Sequence, residues 1–475
     1  MTTISSPGIG SGLDVNSIIN QLLAIERQPI VNLQAQATQI QARISEYGKL
    51  QSLVSAFSDA ASALTKAETW GRCTASSSNS AAAGIAVQSG ATTGSYTLEV
   101  QSLAAAQSLA SGVFASTDAQ PGAGTLRIEL GSWGPGQTSF TPKSGATAVD
   151  IAIEATDTLT QVRDKINAAN AGVTAVILND GSGARLLMRS NATGTESAFR
   201  TSGVAALAFD PSSGPSAMTQ TQAASNAAAT LDGLAISSQS NTLANIVDGV
   251  TITLGQVTSA PVTLGVATDT AALKQSIQAF ADAYNALASL LASQVKYDSA
   301  SETAGPLQGD SGAVGIQRQL RAMMGSVSGA SSVFGRLSDA GLELQRDGSV
   351  KVNAGKLDAA LANLPELRKL FANDDTSIPA NDGLARQFGA LTQAMLASDG
   401  TITTRTDGLR KRIERNESDQ ERLERRVEQT AARLRAQYTA LDATLGKLSG
   451  ISSYVTQQMA LLNASSSNLY GNSNN

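Results

Sequence analysis

Both ends of the chain carry apolar residues at alternating three- and four-residue steps, and the middle does not. Near the start the series runs Ile30, Leu33, Ala37, Ile40, Ile44, Tyr47, Val54, Phe57, Ala61 and Leu64. Near the end it runs Leu409, Ile413, Leu423, Val427, Leu434, Leu441, Leu445, Leu448, Val455 and Leu462. A stripe of that period lies along one side of a helix and must meet another helix. Chain ends fray unless something holds them. Two such stripes at opposite ends therefore predict that the termini pair with each other and with neighbouring copies.

Between them the chemistry changes. From about Thr74, Ser, Asn, Ala and Gly replace the heptads and apolar residues alternate at period two: Tyr96, Leu98, Val100; Leu126, Ile128, Leu130; Val149, Ile151, Ile153; Val250, Ile252, Leu254; Val262, Leu264, Val266. These predict half-buried antiparallel strands. Leu159 to Asn170, with Val162 and Ile166 inward, predicts one helix among them. Pro/Gly/Ser-rich stretches at 118–124, 131–137 and 210–216 predict loops.

Local signals place the remaining elements. Asp14 or Asn16 caps a short helix to about Gln28, with Val15, Ile18, Ile19, Leu22 and Leu23 on one face, and Pro29 ends it or opens the next. Asp269 caps a helix through Leu273, Ile277, Phe280, Tyr284, Leu287, Leu291 and Val295. Asp347-Gly348 predicts a two-residue hairpin turn within Leu342–Val352. Helices are expected at about 356–371 and 382–397, and disorder at residues 1–12 and in the tail from Ser465.

At 475 residues several domains are expected, and the element order is helical, then β-rich, then helical. The fold class is α+β multidomain: terminal coiled-coil helices, with β-rich domains inserted between them. A net charge of -5 offers no positive field for nucleic acid. No run of 18 apolar residues predicts a membrane span. The start, Met1 to Pro7, lacks a secretory pattern, so the chain is expected to stay in the cytoplasm or leave by a route needing no cleaved signal.

Candidate chemistry is thin. The chain has no histidine, which removes the usual general base and Ser-His-Asp or Cys-His mechanisms. Gly309-Asp310-Ser311-Gly312 looks like a protease nucleophile loop but has no imidazole to serve it, and reads as a turn into a helix at Gly315–Val327. Gly8-Ile9-Gly10-Ser11-Gly12 has no preceding strand to make a phosphate loop. Asn179-Asp180-Gly181-Ser182-Gly183 lacks the spaced carboxylates of a calcium loop and reads as a hairpin turn. Cys73, the single cysteine, reads as an inert thiol. Arg410–Glu428 reads as a solvated face, with Glu421–Arg425, Arg410–Glu414 and Arg415–Asp419 four apart. No enzyme, cofactor or metal is expected. The residues expected to pack the stem are Ile18, Leu22, Ile30, Leu33, Ile40, Ile44, Leu434, Leu441, Leu445 and Val455.

Several segments resemble one family. Gly8-Ile9-Gly10-Ser11-Gly12-Leu13-Asp14, Ile18-Ile19-Asn20-Gln21-Leu22-Leu23 and Glu26-Arg27-Gln28-Pro29 are similar to the flagellar hook-associated protein 2 family, the flagellar filament capping proteins (FliD). So are Gly94 to Val100, Gly249 to Leu254, Pro306 to Ser311, Arg346-Asp347-Gly348, Thr406 to Leu409 and Arg435 to Asp442. Gly124 to Ser190 is similar to a repeat shared with flagellins.

The resemblance implies a non-enzymatic cap at the flagellar tip that promotes flagellin folding and insertion. It implies a ring of copies and partners that include flagellin, hook–filament junction proteins and an export chaperone, with host mucin or glycans open for the heads. It also implies extracellular placement through the flagellar type III route. The implied domains are a stem (1–45 and 430–475), a helical leg with a β-hairpin (46–75 and 268–429), an inner head (76–105 and 225–267) and an outer head (106–224). Another flagellar axial protein, such as a junction protein or flagellin, and a stalked adhesin are the rival readings.

Overall fold

The computed structural model describes residues 14–298 and 303–470 and divides the chain into two compact units, residues 1–66 with 276–475 and residues 67–275. The glycine motif at 8–12 and the expected disorder at 1–12 lie outside the described residues, as do 471–475.

The first unit is helical. Asp14 accepts the Ser17 amide at 3.0 Å and opens a helix, Val15–Thr65, that runs unbroken for 51 residues. Pro29 lies inside it, neither ending one helix nor starting another. Leu23 and Ile30, on either side of the proline, both pack on the C-terminal helix, and the helix continues through the missing hydrogen bond. At the other end Thr401–Tyr470 is a single 70-residue helix, which carries helical backbone past Ser465, where disorder was expected.

Between these lie shorter helices around an aromatic centre. Phe57 meets Phe280, Phe388 and Tyr284 with ring centroids 5.1, 5.2 and 5.8 Å apart. The helix capped by Asp269 spans Thr270–Val295, with the Ala272 amide 2.8 Å from the cap. The helix expected at 356–371 is two, Ala354–Leu361 and Leu364–Ala372. Pro365 has no N–H for a continuing helix and sits instead in the first turn of the second. The helix expected at 382–397 spans Leu384–Leu396.

The hairpin Leu342–Leu344/Val350–Val352 closes on three residues rather than two. Gln345 and Ser349 pair across Arg346-Asp347-Gly348, and Gly348 takes φ +93°. That is a three-residue loop whose third residue is left-handed.

The second unit holds two separate cores. One forms between a five-stranded and a three-stranded antiparallel sheet. The first has spatial order Cys73–Ser77, Val262–Thr268, Gly94–Ser102, Ala227–Leu231 and Leu234–Ser238; the second pairs Val250–Leu254 with both Thr242–Val247 and Ala83–Val87. Leu98, Val100, Val250, Ile252, Leu254, Val262, Leu264 and Val266 are all buried there, as their alternation required. The other core is built from two four-stranded sheets and the helix Leu159–Ala168, around Leu126, Ile128, Ile151, Ile153, Val162 and Ile166. Thr158 and Gln161 close a reciprocal capping box at that helix. Asn179 to Gly183 is the turn between the strands Val173–Asn179 and Ala184–Ser190, with Asp180 held by Ser182 and by Arg185 at 2.7 Å.

Candidate assembly surface on the terminal helices

The two long helices run antiparallel and share a small core. Val15, Ile19, Leu23 and Ile30 face Val427 and Ala431, with Leu423, Leu434 and Tyr438 half-buried against them. The expected stem residues divide. Ile30 and Ile40 are buried, and Ile18, Leu33, Ile44, Leu434 and Leu445 are half-buried. Leu22, Leu441 and Val455 are 40%, 47% and 51% exposed. Within one chain the inward positions at the start are Val15, Ile19 and Leu23 rather than Ile18 and Leu22. Both rows step by four residues, so the spacing alone does not choose between them, and packing against Val427 and Ala431 does.

Two polar arrangements went unread in the sequence. Asn416 is buried in the helix pair, where its amide donates to the Leu33 carbonyl at 3.1 Å and its oxygen accepts from Gln420. A buried amide at a seam position fixes which residues face each other.

The second is a clasp. Asp310 caps the helix Ser311–Met324 through the amides of Gly312 and Ala313. That helix therefore starts before the expected Gly315. The Tyr47 hydroxyl donates to Asp310 Oδ1 at 2.6 Å, and Arg405 donates Nε and Nη2 to Oδ2 at 2.9 and 2.6 Å. A side chain at Gly312 would stand 2.9 Å from the Tyr47 hydroxyl, so the glycine makes room for the clasp.

Burial alone would raise the Asp310 pKa, but the Tyr47 and Arg405 hydrogen bonds outweigh it and hold the carboxyl below its ordinary value. Burial, then the carboxylate, pushes Tyr47 well up. One short motif thus ties the N-terminal helix to the C-terminal one.

The C-terminal helix outruns its partner. Past Tyr438 the same 4-3 spacing continues through Leu441, Leu445, Leu448, Ser452, Val455, Met459 and Leu462. Leu448, Ile451, Tyr454, Met459, Leu461 and Leu462 are 56–63% exposed. The charged stretch before it is solvated. Arg425 pairs with Glu421 at 3.6 Å as expected, while Arg410 turns to Asp407 and Asp419 is met by Arg422. Among the described residues no cluster of three or more His, Cys, Asp or Glu could hold a metal ion, and no helix is long and apolar enough to cross a membrane.

Helical ends that clasp each other, a helical body, β domains inserted between them and apolar surface left over on one terminal helix define an assembling protein with a helical stem. Comparison with known proteins gives the particular kind. Residues 11–107 match the flagellar hook-associated protein 2 N-terminus, 224–450 its C-terminus and 138–192 the flagellin hook IN motif. The flagellar hook-associated protein 2 of Escherichia coli K12 is 32% identical over 477 residues, covering 96% of this chain and 98% of the relative. The A-type protein of Pseudomonas aeruginosa is 30% identical, covering 97% and 98%. The crystal structure of the D1-D2-D3 domains of the Escherichia coli flagellar cap protein FliD superposes with a TM-score of 0.60 at 31% identity, over 77% of this chain and 99% of that one. The chain belongs to the flagellar hook-associated protein 2 family.

Proposed function

We propose that copies of this chain form a ring-shaped, non-enzymatic cap at the distal tip of the bacterial flagellar filament, where exported flagellin folds beneath them and joins the shaft. The observation that carries this reading is the exposed apolar stripe from Leu441 to Leu462. A finished monomer rarely leaves a contiguous stripe of that kind in water, and an assembling one buries it. The names of the relatives support the same role. In this reading residues 1–45 with 430–475 form the stem, 46–75 with 268–429 the leg, and 76–105 with 225–267 and 106–224 the inner and outer heads. Hook–filament junction proteins, an export chaperone and, at the heads, host mucin or glycans complete its partners. The free energy for elongation comes from flagellin folding and polymerisation.

The test is complementation in a flagellated strain that lacks its own cap gene. The parent chain should restore filaments seen by electron microscopy. A chain with Leu441→Ser, Leu448→Ser and Val455→Ser should leave intact hooks and unpolymerised flagellin in the medium. Restoration by the triple variant overturns the role of the stripe. Long filaments grown from the purified chain alone would favour a flagellin-like role instead.

A further inference from the structure

Three features of the terminal helix pair fall at one level. Pro29 lies in the interior of Val15–Thr65, so the Ile25 carbonyl four residues earlier receives no helix hydrogen bond. On the facing helix the inward positions keep a strict 4-3 rhythm from Ile402 through Thr406, Leu409, Ile413, Asn416, Gln420 and Leu423 to Val427, then step by four again to Ala431. Two four-residue steps in a row are a stutter, which locally unwinds the winding of one helix about the other. At the same level Leu23 and Ile30 still pack on Val427 and Ala431, but the pair is flanked by an open groove. Between Ala24 and Arg27 on one side and Val427, Ala431 and Arg435 on the other lies a cleft of about 480 Å³. No buried residue of the first helix occurs between Leu23 and Ile30.

On the leg side of this level the pairing is firm. Asn416 holds the Leu33 carbonyl, and Tyr47, Asp310 and Arg405 clasp the helices further down. We infer that Pro29 and the Val427–Ala431 stutter form a joint, at which the outer arm of the helix pair bends while Asn416 keeps the inner part in register. Each feature alone lowers the cost of bending. Together they remove a backbone hydrogen bond and the local superhelical twist from one short segment, beside an open groove. A helix kinks where its hydrogen-bond ladder is broken, and the cleft leaves room for the motion. The inference concerns the chain itself and does not depend on what the assembled protein does.

Double electron–electron resonance on the full chain tests it, with Cys73 replaced by Ser and spin labels at the exposed positions Gln21 and Gln41. A straight helix puts these about 30 Å apart. The parent should give a broad distribution reaching shorter distances. Pro29→Ala restores the hydrogen bond and should narrow it at least about two-fold around the straight-helix distance. Labels at Gln36 and Ser52, wholly on the leg side, should give a narrow distribution in both. Equal widths for Gln21–Gln41 in parent and Pro29→Ala, whether both narrow or both broad, overturn the joint, and a broad Gln36–Ser52 distribution shows general fraying and overturns it as well.

Discussion

At the scale of single residues the unit made by the two ends is fixed by a few polar groups. Asp310 is 3% exposed and carries the hydrogen bonds of Tyr47, Arg405 and two helix amides. Its carboxyl is held below the ordinary value of about 3.9 found in an unfolded chain. A depressed folded-state pKa adds stability that is complete above the unfolded value and is lost as pH falls through the folded one. The helical unit should therefore weaken from about pH 4 downward. Asp310→Asn should flatten that part of the acid-unfolding curve and cost about 2–4 kcal/mol at neutral pH, with Arg405 softening the loss because its side chain is 40% exposed and can rehydrate. Urea unfolding followed by circular dichroism across pH 2–7 measures both effects; an unchanged acid limb would remove Asp310 from the account.

Asn416 makes the opposite kind of prediction. Asn416→Leu replaces a buried amide with an apolar group at a seam position, so the helix pair should gain up to about 1–2 kcal/mol while its register loosens. Disulfide trapping of cysteines introduced on the two helices reads this directly. The parent should give one cross-linked register and the variant more than one. Neither residue could be found from the sequence. Asn416 reads as one polar residue in a charged stretch, and Asp310 sits in a motif whose partners are 263 and 95 residues away.

At the scale of elements, legibility followed side-chain contrast. Strands with branched residues against polar ones, such as Val250–Leu254 and Val262–Thr268, were readable because each apolar residue had to face inward. Cys73–Ser77, Thr219–Gln222 and Ala227–Leu231 are strands made almost wholly of Ala, Ser, Thr and Gln, with Cys73 and Leu231 the exceptions, and their pairing partners define them. Proline was misjudged twice, passed over at Pro365 inside the helix expected at 356–371 and taken as a helix boundary at Pro29. Pro365 divides two helices, whereas Pro29 is carried through with packed turns on either side.

The hairpin shows a smaller error. Asp347-Gly348 correctly marked a turn, but its left-handed glycine serves a three-residue loop. At Gly348 the nearest atom to an added Cβ is 3.6 Å away on the flexible Arg321 side chain, so space is not the obstacle. Gly348→Ala should still cost about 1–2 kcal/mol, because φ +93° is strained for any residue with a Cβ. Thermal unfolding of the full chain should show it, and an unshifted midpoint would mean that the loop relaxes to another turn.

At the scale of the whole molecule the unequal lengths of the two terminal helices matter most. The first begins at Val15, level with Tyr438 of the last, and the last continues to Tyr470. Among the described residues, none beyond Lys447 joins the buried core that the two helices share. Their large apolar side chains, from Leu448 to Leu462, are each more than half exposed. Surface that a monomer does not bury cannot stabilise the monomer, yet it can drive association at roughly 25 cal/mol for each Å² covered. A chain ending at Lys447 should therefore unfold in urea within about 0.5 kcal/mol of the parent. In light scattering it should remain monomeric at concentrations where the parent associates. A lowered unfolding midpoint would show that the end packs on its own chain. Undiminished association would move the assembling surface to another part of the chain.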